Sequence, residues 1–234
     1  MNRLLVPFVF CVAAVTGAAA AAQTTTISVV GNATVTMVPD QATVNASVIT
    51  TASSASQAVS ENNTRYDAIA AALVRIGIKR DDITLSYYNV NYVPRPNPMP
   101  ENPSPYDRYG YTVTRSFAVK VRSIDRAGAV VDAATAAGAT NIDGVSFGLA
   151  DPDRARAQAA RNAVSDARAK AEDLAKAAGL RIIGIRSIEL EGAPGIVRPM
   201  VMAKEAATAQ APTVFDAGNV NVTANVNVVF SAAP

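Results

Sequence analysis

The side chains that most often carry catalysis are scarce in this sequence. Its 234 residues include no His, no Trp and a single Cys, Cys11. Without imidazole there is no Ser-His-Asp triad, no Cys-His dyad, no histidine general base and no His-containing zinc site. An enzyme made from this chain would have to rely on Ser, Lys, Tyr or carboxylates. Asp81-Asp82 is the most obvious acidic pair. As neighbours at the entry to a strand they point to opposite faces, cannot share a proton, and read as strand-entry solubility. Asp151 and Asp153 are accounted for by helix capping and the helix dipole. No Gly-rich phosphate loop follows a strand, and no calcium-loop spacing occurs. Met200-Val201-Met202 offers two soft thioethers suited to Cu(I), but with Met99 far off in sequence apolar contact is the better reading. No catalytic, cofactor-binding or metal-ligating residue is assigned, and no cofactor is called for.

The residues better placed to act do so by contact. Between Val93 and Tyr109 lie Pro94, Pro96, Pro98, Pro100, Pro103 and Pro105, with Tyr92, Tyr106, Tyr109 and Tyr111 around them. Proline stiffens such a segment toward extended geometry and lowers the entropy lost on docking, while Tyr is a good interface anchor. A loop of this length inside a compact domain is either functional, through self-assembly or partner binding, or merely mobile. Tyr92, Pro94, Pro96, Tyr106, Tyr109 and Tyr111 are therefore the candidate residues for self-assembly or partner contact.

Residues 1–22 set the compartment. Arg3 supplies a positive start, Leu4 to Val15 an apolar stretch, and Ala20-Ala21-Ala22 a small-residue cleavage site. This is the layout of a secretory signal peptide cut after Ala22, and its apolar part is shorter than the roughly 20 residues of a membrane span. The full chain has 21 basic against 19 acidic residues, a formal +2, and loss of Arg3 lowers it to +1. The same cut removes Cys11, so disulfides and thiol chemistry go with it. A charge this near zero argues against nucleic acid as partner. No later stretch approaches a transmembrane span, so the product is expected in the periplasm.

The elements that must hold the contact residues follow from periodicity. Thr26 to Val38 and Ala42 to Val48 alternate about Pro39-Asp40 and predict two half-buried strands paired antiparallel. Ala55, Val59, Asn62, Tyr66, Ile69, Leu73 and Ile76 recur at helical spacing, with Ser54 and Gln57 as a capping box and Gly77-Ile78 as the stop. Asp82 to Tyr92 and Tyr111 to Val121 are strands. Ser123 is expected to cap a short helix ending at Gly138, and Asn141 to Leu149 is a further strand. Asp151-Pro152 opens the longest helix, with a predicted stripe of Ala160, Val164, Ala167, Ala171, Leu174 and Ala178 and a Glu172–Lys176 pair on its wet face. Ile182 to Glu191 and the very regular Asn219 to Phe230 complete the set, with a second long loop over 192–218.

Strand, helix, strand, loop, strand thus appears twice, over 40–121 and 141–230. The fold class expected is α+β: antiparallel sheets with helices packed on one face, as duplicated β-α-β-β units in one domain over 23–234, with possible halves 26–122 and 123–234.

Val29-Val30-Gly31, Pro39-Asp40, Asp82-Ile83-Thr84, Gly110-Tyr111, Gly138-Ala139-Thr140-Asn141, the helix from Ala163 to Ala175 and the Val-rich closing strand occur in order. In this order they resemble the SIMPL-domain family, whose members include a periplasmic immunogenic protein and proteins linked to oxidative-stress tolerance. The resemblance covers 26–230. It implies an α+β subunit that forms ring-like or barrel-like homo-oligomers, with peripheral association at the outer membrane, and it carries no catalytic residues. The function expected is an exported, non-enzymatic protein that self-assembles in a structural or envelope-stress role. The alternative is a carboxylate- or Ser/Lys-dependent hydrolase acting on cell-envelope material.

Overall fold

The chain runs β1 (Thr25–Met37), β2 (Gln41–Ala52), α1 (Ala55–Arg75), β3 (Ile83–Val93), β4 (Gly110–Val121), α2 (Ala127–Ala136), β5 (Asn141–Gly148), α3 (Pro152–Ala177), β6 (Arg181–Leu190), β7 (Gly195–Val197) and β8 (Val220–Ala233). The computed structural model describes residues 24–98, 108–192, 195–197 and 213–234. The signal-like segment with Cys11 and Ala22, and also Tyr106, Met99, Met200 and Met202, lie outside the described residues.

These strands build two antiparallel sheets. One has the order β3-β4-β2-β5; the other has the order β1-β8-β6, with β7 also paired to β8. Helices cover one face of each, which gives the α+β class. The expected β1–β2 pairing is not formed: β1 lies against β8, and β2 sits between β4 and β5. Alternation tells which side chains share a face, but not which strand is the neighbour. Between the two, Val38-Pro39-Asp40 passes the chain from one sheet to the other. There Asp40 N–H donates to the Gly148 carbonyl at 3.1 Å, and the Asp40 carboxylate accepts from Ala150 N–H at 2.6 Å. The order strand, helix, strand, strand occurs as β2-α1-β3-β4 and as β5-α3-β6-β8, with β7 inserted within the second loop. Each sheet nevertheless draws on both sequence halves, because β5 joins the first and β1 the second.

The first sheet packs under α1 and α2 on Val44, Val48, Ile69, Leu73, Phe117 and Phe147. Ser54 caps α1 by accepting from Gln57 N–H at 3.3 Å. At the other end Gly77 takes φ +86°, letting Ile78 N–H return to the Leu73 carbonyl and bury the Ile78 side chain. The buried face of α1 keeps Asn62, Ile69 and Leu73 and gains Ala58, Ala70 and Ala72. Before α2 comes a tight 3-10 turn over Ile124–Arg126, which Ser123 closes with its carbonyl (Arg126 N–H, 3.1 Å) and not with its hydroxyl. Thr213 straps back over this layer. Its hydroxyl donates to Asp132 at 2.6 Å, and Phe215 meets Phe147 edge-on at 6.3 Å.

The second sheet packs under α3, and here the expected stripe is corrected. The buried residues are Ala155, Ala159, Ala163, Ala167, Ala171 and Ala175, one strict i,i+4 row, while Leu174 stays 52% exposed. Proximity explains the choice. A Cβ placed on Gly31 of β1 would stand 2.0 Å from the Ala163 carbonyl oxygen and 2.7 Å from the Ala167 Cβ. Only methyl groups fit between backbones this close, so Val164 and Leu174 turn to the flanks. Asp151 caps α3 as expected, accepting from Arg154 N–H at 3.3 Å. Glu172 pairs with Arg168 at 2.9 Å, not with Lys176.

Candidate functional site

The candidate contact residues that the structure describes gather at the loop end of β3 and β4. Tyr92 and Tyr111 stand directly opposite on β3 and β4, with ring centroids 5.0 Å apart. Val93 pairs with Gly110 and closes the loop, leaving Pro94 and Pro96 exposed just beyond and Tyr109 half-buried at the return. Tyr106 lies outside the described residues, so four of the six candidates line the mouth of this loop directly and Tyr109 borders it.

Register shows more. On β4 the residues facing α1 include Val113, Arg115, Phe117 and Val119, and their partners on β3 are Val90, Tyr88, Leu85 and Ile83. A bulge between Leu85 and Tyr87 keeps this set on one face. Helix α1 lies over the inner strands and stops short of β3, so Leu85 (55%) and Tyr92 (59%) are exposed on the side that elsewhere is core. Arg115 marks the border. Its guanidinium lies 4.6 Å from the Tyr66 ring centroid and 5.1 Å from that of Tyr88, and donates to Asn63 at 2.6 Å. Each such contact is worth about 0.5–1 kcal/mol at an exposed site.

The second sheet repeats the arrangement. On β6, Ile182, Ile185, Ile188 and Leu190 pair with Ala232, Phe230, Val228 and Val226, all buried on the α3 side. Two bulges bring isoleucines three residues apart onto one face. Ile185 (50%) and Ile188 (51%) are nevertheless exposed, because α3 covers β1 and β8. Both β3 and β6 are edge strands, each hydrogen-bonded on one side only. The β1 edge differs, since α3 reaches over it: Asp166 accepts from Asn32 N–H at 2.8 Å and Lys170 donates to the Val30 carbonyl at 3.1 Å. The Lys170 ammonium at 2.6 Å and the Asn32 N–H hold the Asp166 carboxyl below its ordinary pKa.

Sequence reasoning named the loop and missed the strips on β3 and β6. The apolar residues were visible, but exposure depends on strand order, which no local pattern encodes. The spacing of Ile182, Ile185 and Ile188 departs from strand alternation and was the one available signal of bulges.

The acidic pair is also placed differently. Asp81 and Asp82 lie in a 3-10 turn over Arg80–Asp82 that leads directly into β3, so they stand at the strand entry but outside the strand itself. Asp81 is exposed, whereas Asp82 is buried and held by Arg122 through two bonds of 2.8 and 3.2 Å. That hydrogen-bonded pairing raises the Arg122 pKa above its ordinary value. Among the described residues no three His, Cys, Asp or Glu side chains group to hold a metal ion, and no helix is long and apolar enough to cross a membrane.

The SIMPL family, described as a protein of unknown function (DUF541), matches residues 27–230. The chain is similar to the 26 kDa periplasmic immunogenic protein of Brucella melitensis, 28% identical over 208 residues, covering 87% of this chain and 83% of that protein. It is also similar to the "Uncharacterized protein YggE" of Edwardsiella ictaluri, 32% identical over 162 residues, covering 68% and 64% respectively. The match runs through both sheets and all three helices, and the chain belongs to the SIMPL family.

Proposed function

We propose that this is an exported, non-enzymatic periplasmic protein that assembles with copies of itself and serves a structural or envelope-stress role. The observation that carries the reading is the pair of bare apolar strips on β3 and β6, each on an unpaired sheet edge. Such edges are ready templates for another strand, and monomeric proteins usually blunt them with Lys, Pro or a covering segment. β3 has no charged residue and no proline. Because the two edges differ, joining β3 of one copy to β6 of the next is a heterologous contact, which closes into a ring or extends as a filament. Tyr88, Tyr92 and the stiff Pro94–Pro96 segment supply anchors beside it. The signal-like segment cut after Ala22 and the periplasmic name of the Brucella relative support the compartment.

Light scattering on the exported form tests this. The protein should be an assembly that Tyr88→Lys with Val90→Lys on β3, or Ile185→Lys with Ile188→Lys on β6, converts to a folded monomer. A wild-type protein that stays monomeric at every concentration overturns the reading.

A further inference from the structure

At the end of the first sheet away from the tyrosine loop, the turn after α1 meets the end of β4 and the turn before α2 around a cavity of about 140 Å³. Its lining includes four cations, Lys79, Lys120, Arg122 and Arg126, against one carboxylate, Asp82. Asp82 is already committed, through both oxygens, to the Nε and Nη2 of Arg122. Lys79 and Lys120 form no ion pair among the described residues, whereas Arg65, Arg156, Arg168 and Lys170 are paired on their helices. The Ser123 hydroxyl, also in the lining, makes no hydrogen bond among the described residues. Four cationic residues around one space, offset by one carboxylate, leave a positive excess there, and two of the four are anchored. Arg122 is anchored on Asp82, and Arg126 donates to the Ile76 carbonyl. Anchored guanidiniums lose less freedom when they take a ligand, and their fork geometry matches a tetrahedral oxyanion.

We infer that this cavity binds a phosphate group. A single carboxylate would leave most of the positive excess unmatched, while a dianion answers it with Lys79 and Lys120 as point charges and Ser123 as a neutral donor. The volume is well below the roughly 300 Å³ at which ligand pockets for larger molecules begin, so the site encloses the phosphate group and leaves whatever carries it outside. Both inorganic phosphate and the phosphomonoester of a lipid headgroup present this chemistry. The site is separate from the β3 and β6 strips and does not depend on assembly.

The exported protein is titrated with inorganic phosphate, with chloride at matched ionic strength as blank, following backbone amide shifts. Saturable shifts at Gly77–Lys79 and Lys120–Ser123 are expected. In the double variant Lys79→Gln with Lys120→Gln, affinity should fall about tenfold or more, the scale of lost charged hydrogen bonds. The double variant Arg154→Gln with Lys176→Gln, which removes equal charge from α3, should bind as wild type. Binding to vesicles of phosphatidylcholine with phosphatidic acid, lost in the first double variant, would assign a lipid source. Phosphate binding without vesicle binding would assign a soluble one. Absent saturation, shifts centred elsewhere, or equal losses in both double variants would overturn the site.

Discussion

The two helix-on-sheet layers of this protein solve one problem by opposite means. Under α1 and α2 the space is filled with bulk: Phe117, Phe147, Ile69 and Leu73 are fully buried, and Tyr66 meets Phe117 edge-on at 5.4 Å. Under α3 the space is nearly abolished. Six alanines face the sheet, and the helix descends until its own backbone meets Gly31. Large side chains gain contact through area, at about 25 cal/mol for each Å² of apolar surface removed from water. A close approach gains it through density, with many short-range contacts per unit length. The first design is exposed to loss of volume, and the second to its addition. Both layers leave one edge strand uncovered by helix, β3 in the first sheet and β6 in the second.

The largest effect should come from emptying the first layer. Phe117→Ala removes a fully buried ring and its edge contact with Tyr66. It should lower stability by about 3–5 kcal/mol, read as a fall in the urea midpoint with little change in slope. A cost near 1 kcal/mol would mean that bulk is not what holds this layer.

Gly31→Ala makes the opposite test in the second layer with a single methyl group. The added carbon would fall 2.0 Å from the Ala163 carbonyl oxygen, so helix or strand must shift. A loss of about 1–3 kcal/mol is expected, typical of overpacking. Alanine at this position with unchanged thermal stability would show that α3 stands further off than the alanine row implies.

How much of this was legible beforehand divides along physical lines. Local patterns carried the strands other than β7, the caps at Ser54 and Asp151, and the stop at Gly77, because those depend on neighbours within a few residues. The α3 stripe was displaced because Val164 and Leu174 are more apolar than alanine. Where the backbones nearly touch, however, size outranks hydrophobicity, and that distance is a property of the sheet across from the helix. The β1–β2 pairing failed for a related reason: strand partners are chosen by long-range register, and β1 finds β8 almost two hundred residues away. The loop tyrosines were identified from composition, whereas the β3 and β6 strips needed the strand order.

The smallest effect concerns the polar seam that keeps α3 seated on the β1 edge. Asp166 accepts from Asn32 N–H and from Lys170, and its carboxyl pKa lies below the ordinary value. A carboxylate favoured in the folded state stabilises the fold above the unfolded-state pKa of about 3.9, and that contribution fades as pH falls through the lower folded-state value. Asp166→Asn should therefore lower the unfolding midpoint slightly at neutral pH. The gap to wild type should close in strongly acidic solution, where the wild-type carboxyl is protonated too. Because the seam is solvent-exposed, added salt should also shrink the neutral-pH gap. A gap that persists unchanged in acid would mean that asparagine disturbs the Gly31–Ala163 approach itself, and that the seam follows from close packing instead of helping to hold it.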